Sequence, residues 1–259
     1  MPNDGVPIYM RMDSVKVLDS ANHPESQNIT DVWVEANADN TGAYELPCNF
    51  PVLQENDVRF VVSAGIKESG QSGVRVIYPF YTTDTFTIVA TRGVKYSHAP
   101  VFKYVEAAQF SFDQNFDNGN NFGPTSNLSL VTFPDPNIDS AFGGFRCLKI
   151  TAVADSSMEI RCNNSYDLPE GQEIWLEVSY KCEVPFFVGF YGNFNTGEVT
   201  KVPVVLITQK PSWNKVYVKM SNFIGNLAAD TYTIYFEALR PYGSSGGSVY
   251  IDNVKLVHF

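Results

Sequence analysis

The residues best equipped for chemistry in this chain of 259 residues lie in its second half, as two groups of acidic and aromatic side chains. In 173–180, Ile174, Leu176 and Val178 take one phase of an alternation and Trp175, Glu177 and Ser179 the other. In 215–220, Val216, Val218 and Met220 oppose Lys215, Tyr217 and Lys219; in 232–238, Ile234 and Phe236 oppose Tyr235 and Glu237. Successive side chains of a strand point to opposite faces, so each segment sets an aromatic and a charge on the side away from its core. Flat aromatics stack on the apolar faces of sugar rings, and carboxylates accept hydrogen bonds from sugar hydroxyls. Trp175, Glu177, Tyr217, Tyr235 and Glu237 are therefore the expected ligand-binding residues, on one shared outward face. Cross-strand aromatic pairs that shield a sheet, or pack against another domain, produce the same pattern, and that reading stands beside the first.

The second group is a pair of carboxylates far apart in sequence. The closing segment SVYIDNVKLVHF alternates with a change of phase, Val249 and Ile251 on one count and Val254 and Leu256 on the other. A phase change inside a strand means a bulge or kink, and it falls on Asp252-Asn253, the residues least suited to a strand interior. A carboxylate there needs backbone donors or a hard cation. Asp117, in the run NFDNGNN, is the other hard oxygen ligand, with Asn118, Asn120 and loop carbonyls to complete a shell of roughly six or seven contacts. The competing reading makes Asp117 part of an exposed turn and Asp252 an acceptor of backbone hydrogen bonds.

Other chemistry finds little support. The formal net charge is −10, the wrong sign for a nucleic-acid or anionic-membrane footprint. No nucleophile elbow, zinc-protease helix motif or phosphate-binding glycine loop occurs, and His23, His98 and His258 are isolated, His258 reading as a surface residue. Glu170, Glu173, Glu177, Glu183, Glu198 and Glu237 are available for glycoside hydrolysis, but nothing marks two of them as a facing pair. Of the four cysteines, Cys147 and Cys162 lie in consecutive predicted strands and allow one bridge; buried free thiols are the other reading. In PFFVGFYGNF, Phe186 and Phe190 read as core, Tyr191 joins the aromatic cluster, and Gly189 and Gly192 permit close approach of a ligand or strand.

The elements that must position these residues are short strands. Residues 1–7 read as a flexible tether. Between 8 and 105, six or seven strands with turn residues every eight to twelve positions predict an immunoglobulin-like β-sandwich, with a hairpin turn at 37–42 and a solvated loop at 67–73. Residues 106–259 hold eight or nine strands, with one helical turn at 222–229, and predict an antiparallel jelly-roll β-sandwich. The fold class expected is thus all-β. The opening MPNDGVPIYMRMD reads as a mature N-terminus given a start Met, so a preceding leader is expected.

The segments NFDNG, EIWLEVSYK, SWNKVYV, TYTIYFEA and VYIDNVKL occur in the order seen in jelly-roll carbohydrate-binding modules of the galactose-binding-like fold, which the second half resembles. The resemblance implies a structural calcium held through Asp117 and Asp252, although in that family a Glu more often follows the Phe. The first half, through ITDVWV, AYELPCNFPVL, AGIK and YPFYTTDTF, resembles the N-terminal domain of uncharacterised Bacteroidetes surface lipoproteins. Together the two imply a secreted or outer-membrane protein, lipid-anchored at the cell surface, that binds a polysaccharide or oligosaccharide without catalysis. A structural or adhesive role, in which another cell-surface protein is the partner, is the alternative.

Overall fold

The computed structural model describes residues 5–21, 25–123, 128–132, 142, 144–152, 157–240, 243 and 245–259, leaving His23 and the first four residues of the expected tether outside. The chain divides into two compact units, Met1–Lys67 with Gln71–Glu106, and Glu68–Gly70 with Ala107–Phe259.

The first unit contains β1 (Ile8–Met12), β2 (Lys16–Leu18), β3 (Asp31–Ala36), β4 (Asp39–Glu45), β5 (Cys48–Val52), β6 (Asn56–Lys67), β7 (Arg75–Ile77), β8 (Asp84–Ala90), β9 (Lys95–Ser97) and β10 (Val101–Lys103). β6 is its organising strand: Val58, Phe60, Val62 and Ala64 are buried at a spacing of two, and β3, β7 and β8 all pair with it. A second sheet runs β5-β1-β9, and β2 pairs in parallel with β10. The β3–β4 hairpin turns on Asn37 and Ala38 alone, both at positive φ, which matches the right-handed twist of the strands it joins. The turn is therefore tighter than the 37–42 predicted from composition; Gly42 instead sits at a register shift, under the Tyr44 ring.

The second unit contains β11 (Gln109–Gln114), β12 (Leu128–Thr132), β13 (Arg146–Ala152), β14 (Met158–Arg161), β15 (Ile174–Cys182), β16 (Phe186–Asn193), β17 (Val199–Ile207), β18 (Lys210–Lys219), α1 (Ser221–Leu227), β19 (Thr231–Ala238) and β20 (Gly247–His258). One sheet runs β12-β13-β20-β15-β18 with β11 also on β20; the other runs β14-β19-β16-β17, and every pairing between these strands is antiparallel. Between them lies one apolar core, to which Leu176, Val178, Phe186, Val188, Phe190, Val216, Val218, Ile234, Phe236, Val249, Ile251, Val254 and Leu256 all contribute. The inward phases read from sequence on β15, β18, β19 and β20 are those observed. Burying side chains of this size is worth about 1.5–3 kcal/mol each before chain entropy is counted, so this alternation dominates the unit's stability.

β20 explains its own phase change. Up to Ile251 its neighbour on one side is β13; from Val254 onward it is β11, with β15 on the other side throughout. Asn253, at φ 44, forms the bulge between the two regimes. Cys147 and Cys162 are not in a disulfide and belong to different clusters, Cys147 with Tyr250 and Trp213 and Cys162 in the main core, so the bridge allowed by strand order is not formed. The segment Glu68–Gly70, expected as solvated loop, instead groups with the second unit: Glu68 bridges Tyr217 in parallel and the Ser69 N–H donates to the Tyr217 carbonyl at 2.8 Å.

Candidate functional site

The five expected ligand-binding residues do not share a face. Trp175 and Glu177 lie on β15 and Tyr217 on β18, in the six-stranded sheet, whereas Tyr235 and Glu237 lie on β19, in the four-stranded sheet. The three strands were assigned a common outward side from alternation, but alternation fixes a side only relative to each strand's own sheet. The first three are also closed to solvent, Trp175 and Tyr217 at 1% exposure and Glu177 at 0%, and Tyr235 at 0% is closed as well, so of the five only Glu237 is partly exposed. The Trp175 indole N–H donates to Glu173 Oε2 at 2.7 Å, and Glu177 Oε2 pairs with Lys215 Nζ at 2.5 Å, both side chains fully buried. In this arrangement the three residues are structural, which corrects their expected place on a glycan platform.

The other sheet presents a different surface. Pairing registers set its outward side chains in rows: Glu159 beside Glu237, then Phe187 and Leu206; Arg161 beside Tyr235, then Gly189 and Pro203; and Thr233 beside Tyr191, then Lys201. Gly189 is what allows the second row, because a Cβ there would come within 2.6 Å of the Tyr235 ring. The close approach that this glycine permits is thus made by Tyr235 from within the chain. Tyr191 and Tyr235 rings pack with centroids 5.3 Å apart. Lys201 Nζ stands 4.7 Å from the Tyr235 centroid, and the Arg161 guanidinium lies 3.7 Å from that of Tyr191.

A single polar network ties these groups together. Glu159 Oε1 accepts from Arg161 Nε at 2.7 Å and from the Tyr191 hydroxyl at 2.8 Å. Lys201 Nζ reaches Glu159 Oε2 and Glu237 Oε2, each at 2.6 Å, while Glu237 Oε1 accepts from Ser157 Oγ at 2.9 Å. Burial alone would raise the Glu159 pKa, but hydrogen bonds from Lys201, Arg161 and Tyr191 outweigh it and lower the value. Burial opposes the charge on Lys201 likewise, and its bonds to Glu159 and Glu237 raise its pKa strongly. Burial pushes Tyr235 up to about 12, so it is a neutral phenol; its hydroxyl is buried without a hydrogen-bond partner. Beyond Tyr191, Asn193 Nδ2 donates to Thr233 Oγ1 at 3.0 Å, and Ser165 Oγ and Thr233 Oγ1 are 2.8 Å apart, extending the polar surface.

The two expected metal ligands do come together. Asp252 is fully buried at the bulge; its Oδ1 accepts the Asn253 N–H at 2.8 Å and its Oδ2 has no partner among the described residues. Burial, with the nearby charge of Asp117 adding to it, pushes the Asp252 carboxyl up to about 8 despite the Asn253 bond. Asp117 Oδ1 accepts the N–H groups of Phe145 and Arg146 at 2.7 and 2.9 Å. Gly144, at φ 72, packs so tightly on the Asp117 carboxylate that any Cβ there would collide with it. Asn120 is spent in its own turn, its Oδ1 accepting the Phe122 N–H. Among the described residues no third Asp, Glu, His or Cys joins the pair. Two close carboxylates, one with an unpartnered buried oxygen, fit a hard cation whose remaining ligands are backbone or amide oxygens.

His258 is 8% exposed, with Nε2 2.9 Å from Ser111 Oγ, and so is not the surface residue that its terminal position suggested. Sequence reasoning passed over Glu159, Arg161 and Lys201. The first two were legible as the outward phase of MEIR, opposite Met158 and Ile160; Lys201 was not, because only the β16–β17 register brings it over Tyr235.

No protein-family model and no curated protein matches the chain. Among solved structures, it is similar to a family 22 xylan-binding domain from Paenibacillus barcinonensis, at 10% identity over 60% of this chain and 97% of that one, with a TM-score of 0.42. A family 11 carbohydrate-binding module of a cellulosomal cellulase from Clostridium thermocellum matches at 15% identity over 58% and 94%, with a TM-score of 0.38. A structure concerned with promiscuous specificity among carbohydrate-binding modules of the β-sandwich superfamily matches at 13% identity over 98% and 99%, with a TM-score of 0.44.

Proposed function

We propose that the second unit binds a glycan without transforming it, through the outer face of its four-stranded sheet. The observation that carries this reading is the partly exposed network of Glu159, Glu237, Arg161 and Lys201 on that face, tied to the Tyr191 hydroxyl and lying over the buried Tyr191 and Tyr235 rings. Preorganised acceptors and donors beside aromatic and apolar surface are what a polyol requires. Glu159 and Glu237 are close enough to suggest hydrolysis, but that reaction needs one carboxylic acid held protonated. Lys201, Arg161 and Tyr191 favour the charged form of Glu159, which moves away from the proton-donor range.

A calcium ion held through Asp117 and Asp252 would neutralise the buried Asp252 oxygen and pin the loop around Asp117 to the bulge of β20. Its role there is structural. In the same proposal the protein acts at the cell surface, lipid-anchored or secreted, and the immunoglobulin-like first unit serves as spacer or docking element for neighbouring surface proteins. Protease shaving of intact cells checks the location, and a protected, cytosolic protein would refute it.

Affinity electrophoresis against a panel of soluble polysaccharides tests the binding. Retardation by at least one glycan, lost in Tyr191→Ala and retained in Trp175→Ala, is the expected result. Retardation lost only in Trp175→Ala would move the site to the six-stranded sheet, and no retardation at all would remove the glycan reading.

A further inference from the structure

The charge balance of the four-stranded face selects among glycans. Its two cations are both claimed from within: Arg161 by Glu159, and Lys201 by Glu159 and Glu237 together. Two positive and two negative groups leave the cluster neutral, inside a chain whose net charge is −10. Each cation also covers a ring, Arg161 that of Tyr191 and Lys201 that of Tyr235, so neither is free to swing to an incoming anion without uncovering apolar surface.

A uronate or sulfated sugar arriving here finds no uncommitted cation. To reach Lys201 or Arg161 it must displace a glutamate already bonded at 2.6–2.7 Å and then lie beside two like charges. A hydroxyl needs no displacement. Each ionised carboxylate has about four acceptor positions, only some of which the network fills, and the Ser165, Thr233 and Asn193 groups continue the polar surface along the sheet. Exposed Pro203 and Leu206 on the adjoining strand offer apolar contact to the C–H faces of a sugar ring.

We infer that this face takes uncharged glycans and rejects acidic ones, with Glu159 and Glu237 as the specificity-determining residues because they hold Arg161 and Lys201 compensated. The inference rests on the glycan-binding reading above and narrows it to a chemical class. Removing the two negative charges while keeping the side-chain shape leaves two uncompensated cations, which is the composition of an anion-binding surface.

The full chain and its Glu159→Gln/Glu237→Gln variant are run in affinity gels containing neutral polysaccharides (mixed-linkage β-glucan, galactomannan, pullulan) or acidic ones (polygalacturonate, alginate). The wild type is expected to be retarded by a neutral polymer and to run unretarded in the acidic gels. The double variant, checked for folding by its melting transition, is expected to gain at least tenfold in acidic-polymer affinity, and the gain should shrink as salt is raised. Wild-type retardation in an acidic gel, abolished by Lys201→Met, would overturn the inference while leaving glycan binding in place. A folded double variant with no gain would overturn it too. Retardation in neither set would remove the glycan reading and this inference together. Should the double variant fail to fold, Glu237→Gln alone is the fallback, with a smaller gain expected and the absence of any gain counting against the proposal.

Discussion

The second unit carries two outward sheet faces built from the same chemistry, whose charged groups differ in exposure. On the six-stranded sheet, Glu177 pairs with Lys215 at 2.5 Å near Trp175 and Tyr217, and both charged side chains have no exposure. On the four-stranded sheet, Glu159 pairs with Lys201 at 2.6 Å near Tyr191 and Tyr235, and those charged side chains are 20% and 36% exposed. Residue types and ion-pair length agree and the rings are buried on both faces; what differs is the desolvation of the charges. It makes the first face a buried structural device, whose charges must stay paired, and leaves the second able to exchange contacts with a ligand. An aromatic and a carboxylate on an outward strand phase therefore mark a potential surface, and burial decides which surface is used.

The sharpest way to break that contrast is to unpair each ion pair in turn. Glu177→Ala removes the carboxylate paired with the buried Lys215 and is expected to cost about 3–5 kcal/mol in urea unfolding. Glu159→Ala, on the partly exposed face, is expected to cost about 1 kcal/mol or less. Equal losses would mean that the two faces are equally buried and would erase the distinction.

Next in size is the cation proposed between the two sheet regimes of β20. Calcium at about a hundredfold excess over its dissociation constant is expected to stabilise the wild type by roughly 2.7 kcal/mol in thermal melts. In Asp252→Asn the calcium response should vanish, while in chelator the variant should be at least as stable as the wild type, because it no longer buries an unpartnered carboxylate oxygen. A calcium response that survives the substitution would place the cation elsewhere.

A smaller effect separates the faces by binding. Tyr191→Ala is expected to weaken the glycan affinity of the folded fraction tenfold or more, about 1.4 kcal/mol, besides lowering the melting temperature through the packing and hydrogen bonds it removes. Trp175→Ala should lower stability through the cavity it leaves while sparing the affinity of the folded fraction, as titration calorimetry on both variants would resolve.

The smallest effect is a pH dependence. The Glu159 pKa is lower in the folded state than its ordinary value of 4.5, so the unfolded chain binds more protons there and stability rises with pH. This contribution is complete above about pH 4.5 and is lost as pH falls through the folded value. Glu159→Gln should flatten that acid limb without altering stability near neutrality by more than about 1 kcal/mol. An unchanged limb would mean that Arg161, Lys201 and Tyr191 do not hold the carboxylate in solution.

Much of the frame was legible in the chain itself. The all-β class follows from apolar residues recurring at two, and the same spacing named the core sides of β15, β18 and β19. The kink at Asp252-Asn253 was readable because a phase change in a strand has few physical causes, and the pairing of Asp252 with Asp117 followed from family resemblance and survives as proximity in space. The candidate site was half legible. Tyr235, Glu237 and Tyr191 were in view, but their partners Glu159, Arg161 and Lys201 come from strands that neighbour β19 and β16 only through sheet order.

What the sequence determined alone is therefore local: which side of each strand is apolar, where a strand breaks phase, which residues turn the chain. Alternation acts through bonds along one strand, so one strand suffices to read it. What only the tertiary structure decided is which strands share a sheet, which outward face is desolvated and which carboxylate meets which cation. Those outcomes depend on long-range pairings, including that of the distant Glu68–Gly70 segment with Tyr217, and no spacing within a single strand encodes them.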